Sequence, residues 1–234
     1  MQVIAGSVRG PAHVRAKTPC QDAWLAVTGA GPALAVVCDG MGSRSHARDG
    51  SRAATQAARD AWRLWSRALA GSVEDLVRLL EVCWRLRLRV PPDQAATTCL
   101  MYAEDGHGRA ALAQLGDGLI ARRTAAGAVA IHPCVAGGLG STHALGTPHG
   151  LADWSLALTT PLATGEALAL ATDGVSDDLE TSRLGALIAW AIDELGPDPH
   201  AGRRLRAELR AWPVPHHHDD KTLLVLWKTP NPPK

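Results

Sequence analysis

Short runs of apolar residues, each bounded by glycine or proline, predict most of the strands of this 234-residue chain. The strongest is the run from Leu34 to Cys38, which follows a Gly-Pro pair and leads to a Gly-Met-Gly turn. Because every residue of this run is apolar, rather than every second one, we expect a strand buried on both faces. Further strands are predicted over residues 1–8, 23–28, 154–159, 167–172 and 222–227.

Two stretches place apolar residues three and four positions apart, which is the period of an amphipathic helix. The first covers residues 54–68 and stops before a glycine. The second covers residues 73–88, and we expect Ser72 to cap it, with Asp75 in its first turn. Two later helices are predicted over residues 184–195 and 201–209.

Residues 97–131 are predicted to form an antiparallel meander, because short apolar runs alternate there with glycine-containing turns. The glycine-rich residues 133–150 are expected to form a long loop beside a site. We find no internal repeat and no linker. The sequence therefore predicts one α+β domain over residues 1–228, followed by a frayed, Pro-rich tail at 229–234.

The composition argues against several functional classes of protein. A formal net charge of +1 offers no electrostatic attraction to nucleic acid or to an anionic membrane. No run of about 18 apolar residues is present, and the first residues do not resemble a signal peptide, so we expect a cytoplasmic protein. The five cysteines are scattered, which favours reduced thiols. With no Phe and eight Trp, core bulk is expected from Leu, Val and Trp.

Carboxylates directly follow two of the predicted buried strands. Asp39 ends the run that begins at Leu34, Asp173 ends the run over residues 168–172, and each is followed by glycine. A buried, unpaired carboxylate is costly, and carboxylates that lie close together either share protons or bind cations. We therefore predict a metal centre. Its candidate ligands are the carboxylates at strand ends or glycine turns: Asp22, Asp39, Asp117, Asp173, Asp177 and Asp219.

A donor set made only of oxygen atoms suits magnesium or manganese better than zinc, which recruits His and Cys. Two such ions about 3.5–4 Å apart, with a carboxylate and a water between them, form the usual centre of two-metal hydrolysis. Phosphate esters are very slow to hydrolyse without a catalyst, so they require the large electrostatic stabilisation that such a centre offers. The expected reaction is the hydrolysis of a phosphate ester.

Seven short motifs follow one another in a characteristic order along almost the whole chain. They are Gln21-Asp22-Ala23, Asp39-Gly40-Met41-Gly42, Ala96-Thr97-Thr98, Gly116-Asp117-Gly118, Ala144-Leu145-Gly146, residues 171–177 and residues 219–222. In this order they resemble the metal-dependent serine/threonine protein phosphatases of type 2C (PPM-type), in a compact bacterial form. Each motif alone is weak, because Asp-Gly pairs are common in turns. Their shared order and spacing make the resemblance specific.

The resemblance implies a fold of two packed antiparallel β-sheets flanked by helix pairs, an αββα sandwich. It also implies two bound Mg or Mn ions. Asp39 matches the family's bridging ligand, and the carbonyl of Gly40 matches a ligand of one ion. Asp173 and Asp219 match ligands of the other ion.

Three further aspartates have implied roles in the same family. Asp22 matches a residue that holds metal-bound water, and Asp117 and Asp177 match positions that bind a third, weaker ion. The residues themselves leave alternatives open. Asp178 stands beside Asp177, Asp220 stands beside the predicted ligand that precedes it, and Gly-Asp-Gly around Asp117 is also a good turn signal.

The chain departs from the family pattern at three positions. Gln21 stands where many members have glutamate, and Met41 stands where some members have a proton-donating histidine. Lys17 occupies the position of the arginine that grips phosphate, and a lysine lacks the planar fork of a guanidinium. Arg15 or Arg9 could substitute, and we favour Arg15.

The implied activity is hydrolysis of phosphoserine and phosphothreonine in proteins. Asp39, Asp173 and Asp219 would act through a metal-bridging water, and a Ser/Thr kinase and its phosphorylated substrates would be the partners of a monomer. The three histidines at 216–218 are expected in a solvated loop near the site. Two alternatives stay open: a pseudophosphatase that acts as a signalling scaffold, and an unrelated two-metal hydrolase such as a nuclease. The absence of a basic stripe argues against the nuclease.

Overall fold

Two antiparallel sheets of five strands each lie face to face. The computed structural model describes residues 1–68, 71–135, 142–212, 214 and 218–229. The first sheet contains, in spatial order, Gln2–Val8 (β1), Lys221–Trp227 (β10), Ala167–Ala171 (β9), Leu119–Arg123 (β6) and Val129–Ile131 (β7). The second sheet contains Ala23–Val27 (β2), Leu34–Cys38 (β3), Cys99–Glu104 (β4), Ala110–Leu115 (β5) and Ser155–Thr159 (β8).

Helices cover the outer face of each sheet. The second sheet packs against Ala47–Trp65 (α2) and Val73–Arg87 (α3). The first sheet packs against Leu184–Trp190 (α5), which continues as a π-helical turn over Ala191–Leu195, and against Ala201–Ala211 (α6). The short elements are the α-helices Pro11–Arg15 (α1) and Asp173–Ser176 (α4), and the 3₁₀ turns Pro92–Ala95, Leu151–Asp153 and Thr181–Arg183. This arrangement confirms the predicted α+β sandwich with helix pairs outside both sheets.

Strand β3 shows why the strongest apolar run has no polar residue. Leu34, Val36 and Cys38 belong to the core between the second sheet and its helices. Ala35 and Val37 belong to the core between the two sheets. Successive side chains of a strand point to opposite faces, so a strand with a core on each side needs apolar residues at every position. All five side chains are fully buried.

Tryptophan and capping residues fix the helix pair on the second sheet. Ser72 caps α3 as predicted: its hydroxyl accepts a hydrogen bond from the Asp75 amide at 3.1 Å, and the Asp75 carboxylate accepts one from the Ser72 amide at 3.0 Å. The indole of Trp84 donates to the carbonyl of Gly50 at 3.0 Å, which ties α3 to α2. Trp65 and Trp84 are among the largest fully buried side chains of the described residues, as expected for a core without phenylalanine.

The predicted meander over residues 97–131 is wrong at one connection. β4 pairs with β5 in the second sheet, whereas β6 pairs with β7 in the first, so the chain crosses between the sheets at Gly116-Asp117-Gly118. Gly116 and Gly118 have φ values of 96° and 103°, a region that disfavours residues with a Cβ atom. The predicted turn is therefore present, but the chain uses it to cross from the second sheet to the first instead of forming a hairpin. The sequence also did not predict α1.

Several expectations concern single residues or the chain ends. Cys38 and Cys99 are buried, and all five cysteines are free thiols. Within the described ranges, no helix has the length and apolar character needed to cross a bilayer. His216, His217, residues 136–141 of the predicted loop and residues 230–234 of the predicted tail lie outside the described residues. The boundary of the domain at residue 228 stays a prediction.

The contact between α2 and the 3₁₀ turn at Pro92–Ala95 predicts that Gly50→Ala destabilises the fold. A Cβ atom at Gly50 would overlap the carbonyl oxygen of Ala95, whereas one at Gly202 in α6 would lie 3.5 Å from its nearest neighbour, the carbonyl oxygen of Ala5. We expect Gly50→Ala to lower the free energy of unfolding by about 1–3 kcal/mol. Gly202→Ala should be neutral or stabilising by up to about 1 kcal/mol. Urea denaturation of both variants checks this, and equal effects would contradict the packing described.

Candidate metal centre

Carboxylates from both sheets converge on one open cavity of about 350 Å³. Asp39 follows β3 of the second sheet, and Asp117 lies where the chain crosses to the first sheet. Asp173 follows β9, and Asp219 precedes β10, which pairs with β9. All four line the cavity. The structure thus places four of the six candidate ligands together at the strand ends.

Backbone contacts hold the strand end that carries Asp39. The Asp39 amide donates to the Thr98 hydroxyl at 3.0 Å, and its carbonyl accepts from the Thr98 amide at 2.8 Å and the Thr97 hydroxyl at 2.7 Å. The next residue has to be glycine, because a Cβ atom at Gly40 would lie 2.5 Å from the carbonyl oxygen of Ala47. These contacts orient the Asp39 side chain and leave the Gly40 peptide in the cavity wall.

Asp22 is buried and lies outside the wall of this cavity; it lines a separate cavity together with Ser7 and Arg52. Its Oδ2 accepts hydrogen bonds from the Thr172 hydroxyl at 3.0 Å and the Thr222 hydroxyl at 2.6 Å. Its Oδ1 is buried and has no hydrogen-bond partner among the described residues. Because Thr172 directly follows β9 and Thr222 lies in β10, Asp22 links the N-terminal segment to the strand ends that carry Asp173 and Asp219.

The pKa values of these carboxyl groups show the cost of bringing them together. Burial raises the pKa of Asp39 well above its ordinary value, and the charges of Asp22, Asp173 and Asp219 raise it further. Burial also raises the pKa of Asp22 to about 7, although the hydrogen bond from Thr222 opposes this change. Burial and the charges of Asp219 and Asp117 raise the pKa of Asp173 to about 6. At neutral pH this group of carboxylates therefore favours protons or cations.

Asp219 and Asp220, which the sequence could not tell apart, have different surroundings. Asp219 lines the cavity. Asp220 points away from it and is 1% exposed, and its two oxygens accept hydrogen bonds from the amides of Gly10 and Gln21, both at 2.6 Å. Its Oδ1 also lies 2.9 Å from Nδ1 of His13. Asp220 therefore anchors the N-terminal segment, whereas Asp219 is available to a ligand.

The neighbouring pair Asp177 and Asp178 lies at the end of α4. The Asp177 amide donates to the Asp173 carbonyl at 2.9 Å, and the Asp178 carboxylate lies 3.5 Å from Nζ of Lys221. Neither residue lines the cavity. Asp117 does line it, and its Oδ2 accepts a hydrogen bond from the Thr142 hydroxyl at 2.8 Å. The role of Asp117 and Asp177 in binding a third ion stays a prediction.

A family model for protein phosphatase 2C matches residues 9–212 of the sequence, which is most of the chain. The chain belongs to the protein phosphatase 2C family. A search of curated protein sequences gave no significant match.

Three solved structures illustrate the similarity of the fold. The PPM Ser-Thr phosphatase MsPP from Mycobacterium smegmatis, solved with cacodylate, is 22% identical with a TM-score of 0.64, over 97% of this chain and 98% of that chain. The catalytic domain of the serine threonine protein phosphatase PstP, solved with two manganese ions, is 18% identical with a TM-score of 0.64, over 96% of each chain. RsbX, solved with magnesium, is 15% identical with a TM-score of 0.60, over 96% of this chain and 93% of that chain. At these identities the likeness shows the shared fold.

The basic residues expected to grip phosphate lie outside the cavity wall of this phosphatase 2C family member. Arg15 lines a neighbouring groove, and its Nη2 lies 3.5 Å from Nδ1 of His218. Lys17 is exposed and has a positive φ of 57°. Met41 does line the cavity, as do His13 and His218. The sequence offered no signal for His13, because its contact with Asp220 joins segments far apart along the chain.

The donor atoms of this family member fit hard divalent cations. Among the described residues, no three carboxylate, imidazole or thiol side chains are arranged around one common ion position. Mg²⁺ does not require such a cage, because it usually binds one or two carboxylates and keeps several waters. Four carboxylates line the cavity, and the pKa of one of them, Asp39, is raised well above its ordinary value. Outside the cavity wall, the buried Oδ1 of Asp22 has no hydrogen-bond partner among the described residues. These oxygen donors are the ligands that magnesium and manganese prefer.

The different surroundings of Asp219 and Asp220 predict unequal effects of two neighbouring substitutions on the free energy of unfolding. Asp220→Ala would leave the buried Gly10 amide and the partly buried Gln21 amide without acceptors, so the free energy of unfolding should fall by about 2–4 kcal/mol. Asp219→Ala should change it by less than about 1 kcal/mol in the presence of a chelator, because it removes a repelling charge from the cavity. Urea denaturation in EDTA measures both values. If Asp219→Ala lowered the free energy of unfolding more than Asp220→Ala does, Asp219 rather than Asp220 would be the anchoring residue.

The raised carboxyl pKa values predict how the stability of the chelated protein depends on pH. Asp22 and Asp173, with pKa values of about 7 and about 6, bind protons more tightly when folded than in the unfolded chain, where the value is about 3.9. The folded state therefore binds more protons across this interval, and the free energy of unfolding should fall as pH rises from about 4 to 7. We expect a loss on the order of a few kcal/mol.

Denaturation in EDTA at pH 5 and pH 8 measures this slope. Asp39→Asn is the matched comparison, because it removes a carboxyl group whose own pKa burial raises, and it should therefore flatten the slope. Manganese should restore stability at pH 8, since an ion that binds only the folded state stabilises it. Equal slopes for the wild-type protein and Asp39→Asn would show that the folded state does not raise the pKa of Asp39 as described.

Proposed function

We propose that this protein is a metal-dependent phosphatase that hydrolyses phosphoserine and phosphothreonine in proteins. One observation carries the proposal: in a member of the protein phosphatase 2C family, Asp39, Asp117, Asp173 and Asp219 converge on one open cavity. Carboxylates from two different sheets have no structural need to meet, because pairing and packing do not require charge at these positions. A shared ligand explains why they do.

Two Mg or Mn ions, and a third beside Asp117 and Asp177, complete this proposal. PstP was solved with two manganese ions and RsbX with magnesium, which supports this choice of metals. When bound, such ions supply Lewis-acid stabilisation of phosphoryl charge and activate water near neutral pH. Asp39 would contact both ions, with the Gly40 carbonyl on one of them and Asp173 and Asp219 on the other.

The remaining residues would orient the substrate and solvent around the carboxylates. Asp22, which is buried and whose Oδ1 has no hydrogen-bond partner among the described residues, would hold an ordered water near Asp39. Arg15 would reach the phosphate from the neighbouring groove, with Lys17 as a second cation. Met41 has no proton to donate, so protonation of the leaving group would fall to water or to a cavity imidazole. The substrates would be phosphoproteins produced by a Ser/Thr kinase.

A pseudophosphatase that acts as a scaffold is the second candidate. It is favoured by one observation: the described wall of the carboxylate cavity contains neither arginine nor lysine. Calorimetric titration with manganese separates the two candidates. An active phosphatase should bind two ions, whereas a scaffold without metal would show no binding. Two-site binding without any hydrolysis would favour the scaffold.

Phosphate release from a phosphothreonine peptide, compared with a phosphotyrosine peptide, tests the proposed activity. We expect manganese-dependent release from phosphothreonine, and a loss of at least about a hundredfold in Asp39→Asn and Asp173→Asn, because each removes a charge that would hold the ions. Asp193→Asn, at an exposed helical position, is the matched control and should be fully active. Circular dichroism verifies the fold of each variant. Turnover that survives EDTA or both substitutions would refute the proposal.

A further inference from the structure

A second cavity, of about 610 Å³, adjoins the carboxylate cavity. We name it the α1–α6 groove, because the residues that shape it come mainly from α1 and from α6 with the segment that follows it. Those residues include Arg9, Val14, Arg15, Leu209, Arg210 and Trp212. Asp219 lines both cavities, and α1 stands between them, with His13 in the wall of one and Val14 in the wall of the other. Because Asp219 belongs to both walls, a molecule that reaches the carboxylates can extend past Asp219 into the groove.

The groove concentrates positive charge. Arg9, Arg15 and Arg210 all line it, and Asp219 at its edge is the one carboxylate of its described wall. Within the described ranges none of the three guanidinium groups pairs with a carboxylate: the Arg9 side chain donates to the Thr18 carbonyl at 3.2 Å, and Arg15 lies near His218. The chain as a whole has 24 basic and 23 acidic residues, so this excess is local.

Apolar side chains lie among these cations. Val14, the fourth residue of the five-residue helix α1, is 48% exposed. Trp212 is half-buried, and Leu209 forms part of the buried floor. Lys221 adds little free charge, because its Nζ lies 3.5 Å from the Asp178 carboxylate. The groove therefore suits an occupant that carries both acidic and apolar groups.

We propose that the α1–α6 groove docks an acidic peptide segment with an apolar side chain, which belongs to the phosphoprotein substrate and lies next to its phosphorylated residue. This inference rests on the proposed function. An extended peptide advances about 3.3 Å per residue, so the residues nearest the phosphorylated one would pass Asp219 and enter the groove. A nucleic acid fits less well, because a uniformly charged backbone would leave the exposed Val14 without a contact.

The test compares three substrates in the manganese-loaded protein: a phosphothreonine peptide flanked by Asp, Glu and Leu, the same peptide with Lys in place of the acidic residues, and an aryl phosphate too small to reach the groove. We expect Arg210→Glu to lower kcat/KM for the acidic peptide, relative to that for the aryl phosphate, by about tenfold and mainly through KM. The kcat/KM for the lysine peptide should not fall in this variant, because the new carboxylate attracts the lysine side chains. Arg63→Glu, at an exposed position of α2 on the opposite side of the sandwich, is the matched control and should keep the wild-type ratios.

A binding measurement keeps this inference separate from the proposed activity. Fluorescence anisotropy of the labelled acidic peptide without its phosphate reports docking alone. Arg210→Glu and Val14→Asp should each raise its Kd about tenfold, and Arg63→Glu should not change it. Such binding without hydrolysis by the wild-type protein would support the groove and refute the phosphatase activity. Equal Kd values for Arg210→Glu and wild type, or tighter binding of single-stranded DNA than of the peptide, would overturn the groove assignment.

Discussion

Repulsion among buried carboxylates is the constraint on which the rest of this structure depends. Asp39 lies in the neighbourhood of Asp22, Asp173 and Asp219, and each of their charges raises its pKa. Folding alone would not select this arrangement, because each charge that loses water without a partner reduces stability. The sandwich nevertheless carries Asp39 and Asp173 directly after β3 and β9, and Asp219 just before β10, and every residue of these three strands is buried. The buried core on both sides of these strands offsets the unfavourable free energy of the carboxylate cluster.

The N-terminal segment gives the cluster its shape. Asp220 holds the amides of Gly10 and Gln21, and a Cβ atom at Gly10 would overlap the backbone of Asp219. α1 follows directly and forms the wall between the carboxylate cavity and the α1–α6 groove. A single anchoring carboxylate thus fixes the edge of the cavity, the position of Asp219 beside it and the wall of the groove.

The sequence predicts those parts of the molecule in which one local pattern has one structural meaning. The uninterrupted apolar run of β3 requires burial on both faces, and Ser72 with Asp75 forms a recognisable helix cap. Other features depend on distant partners. Gly116-Asp117-Gly118 fits a hairpin as well as a crossing, and only the pairing of β6 with β9 decides between them.

Within the cavity, the sequence identifies the aspartates but not their orientations. Asp219 and Asp220 are adjacent and chemically identical, and the fold alone turns one outward and the other toward the amides of Gly10 and Gln21. α1 is only five residues long, too short for apolar periodicity to reveal it. The position of its histidine, His13, in the cavity wall was for that reason not predictable.

The most direct test of the account is an anomalous-diffraction measurement on crystals grown with manganese. The account predicts two peaks of anomalous density in the carboxylate cavity, with an oxygen of Asp39 about 2.0–2.6 Å from each and the Gly40 carbonyl in contact with one. A well-ordered cavity without anomalous density at saturating manganese would contradict it, since the clustered carboxylates would then persist without the cations that explain them.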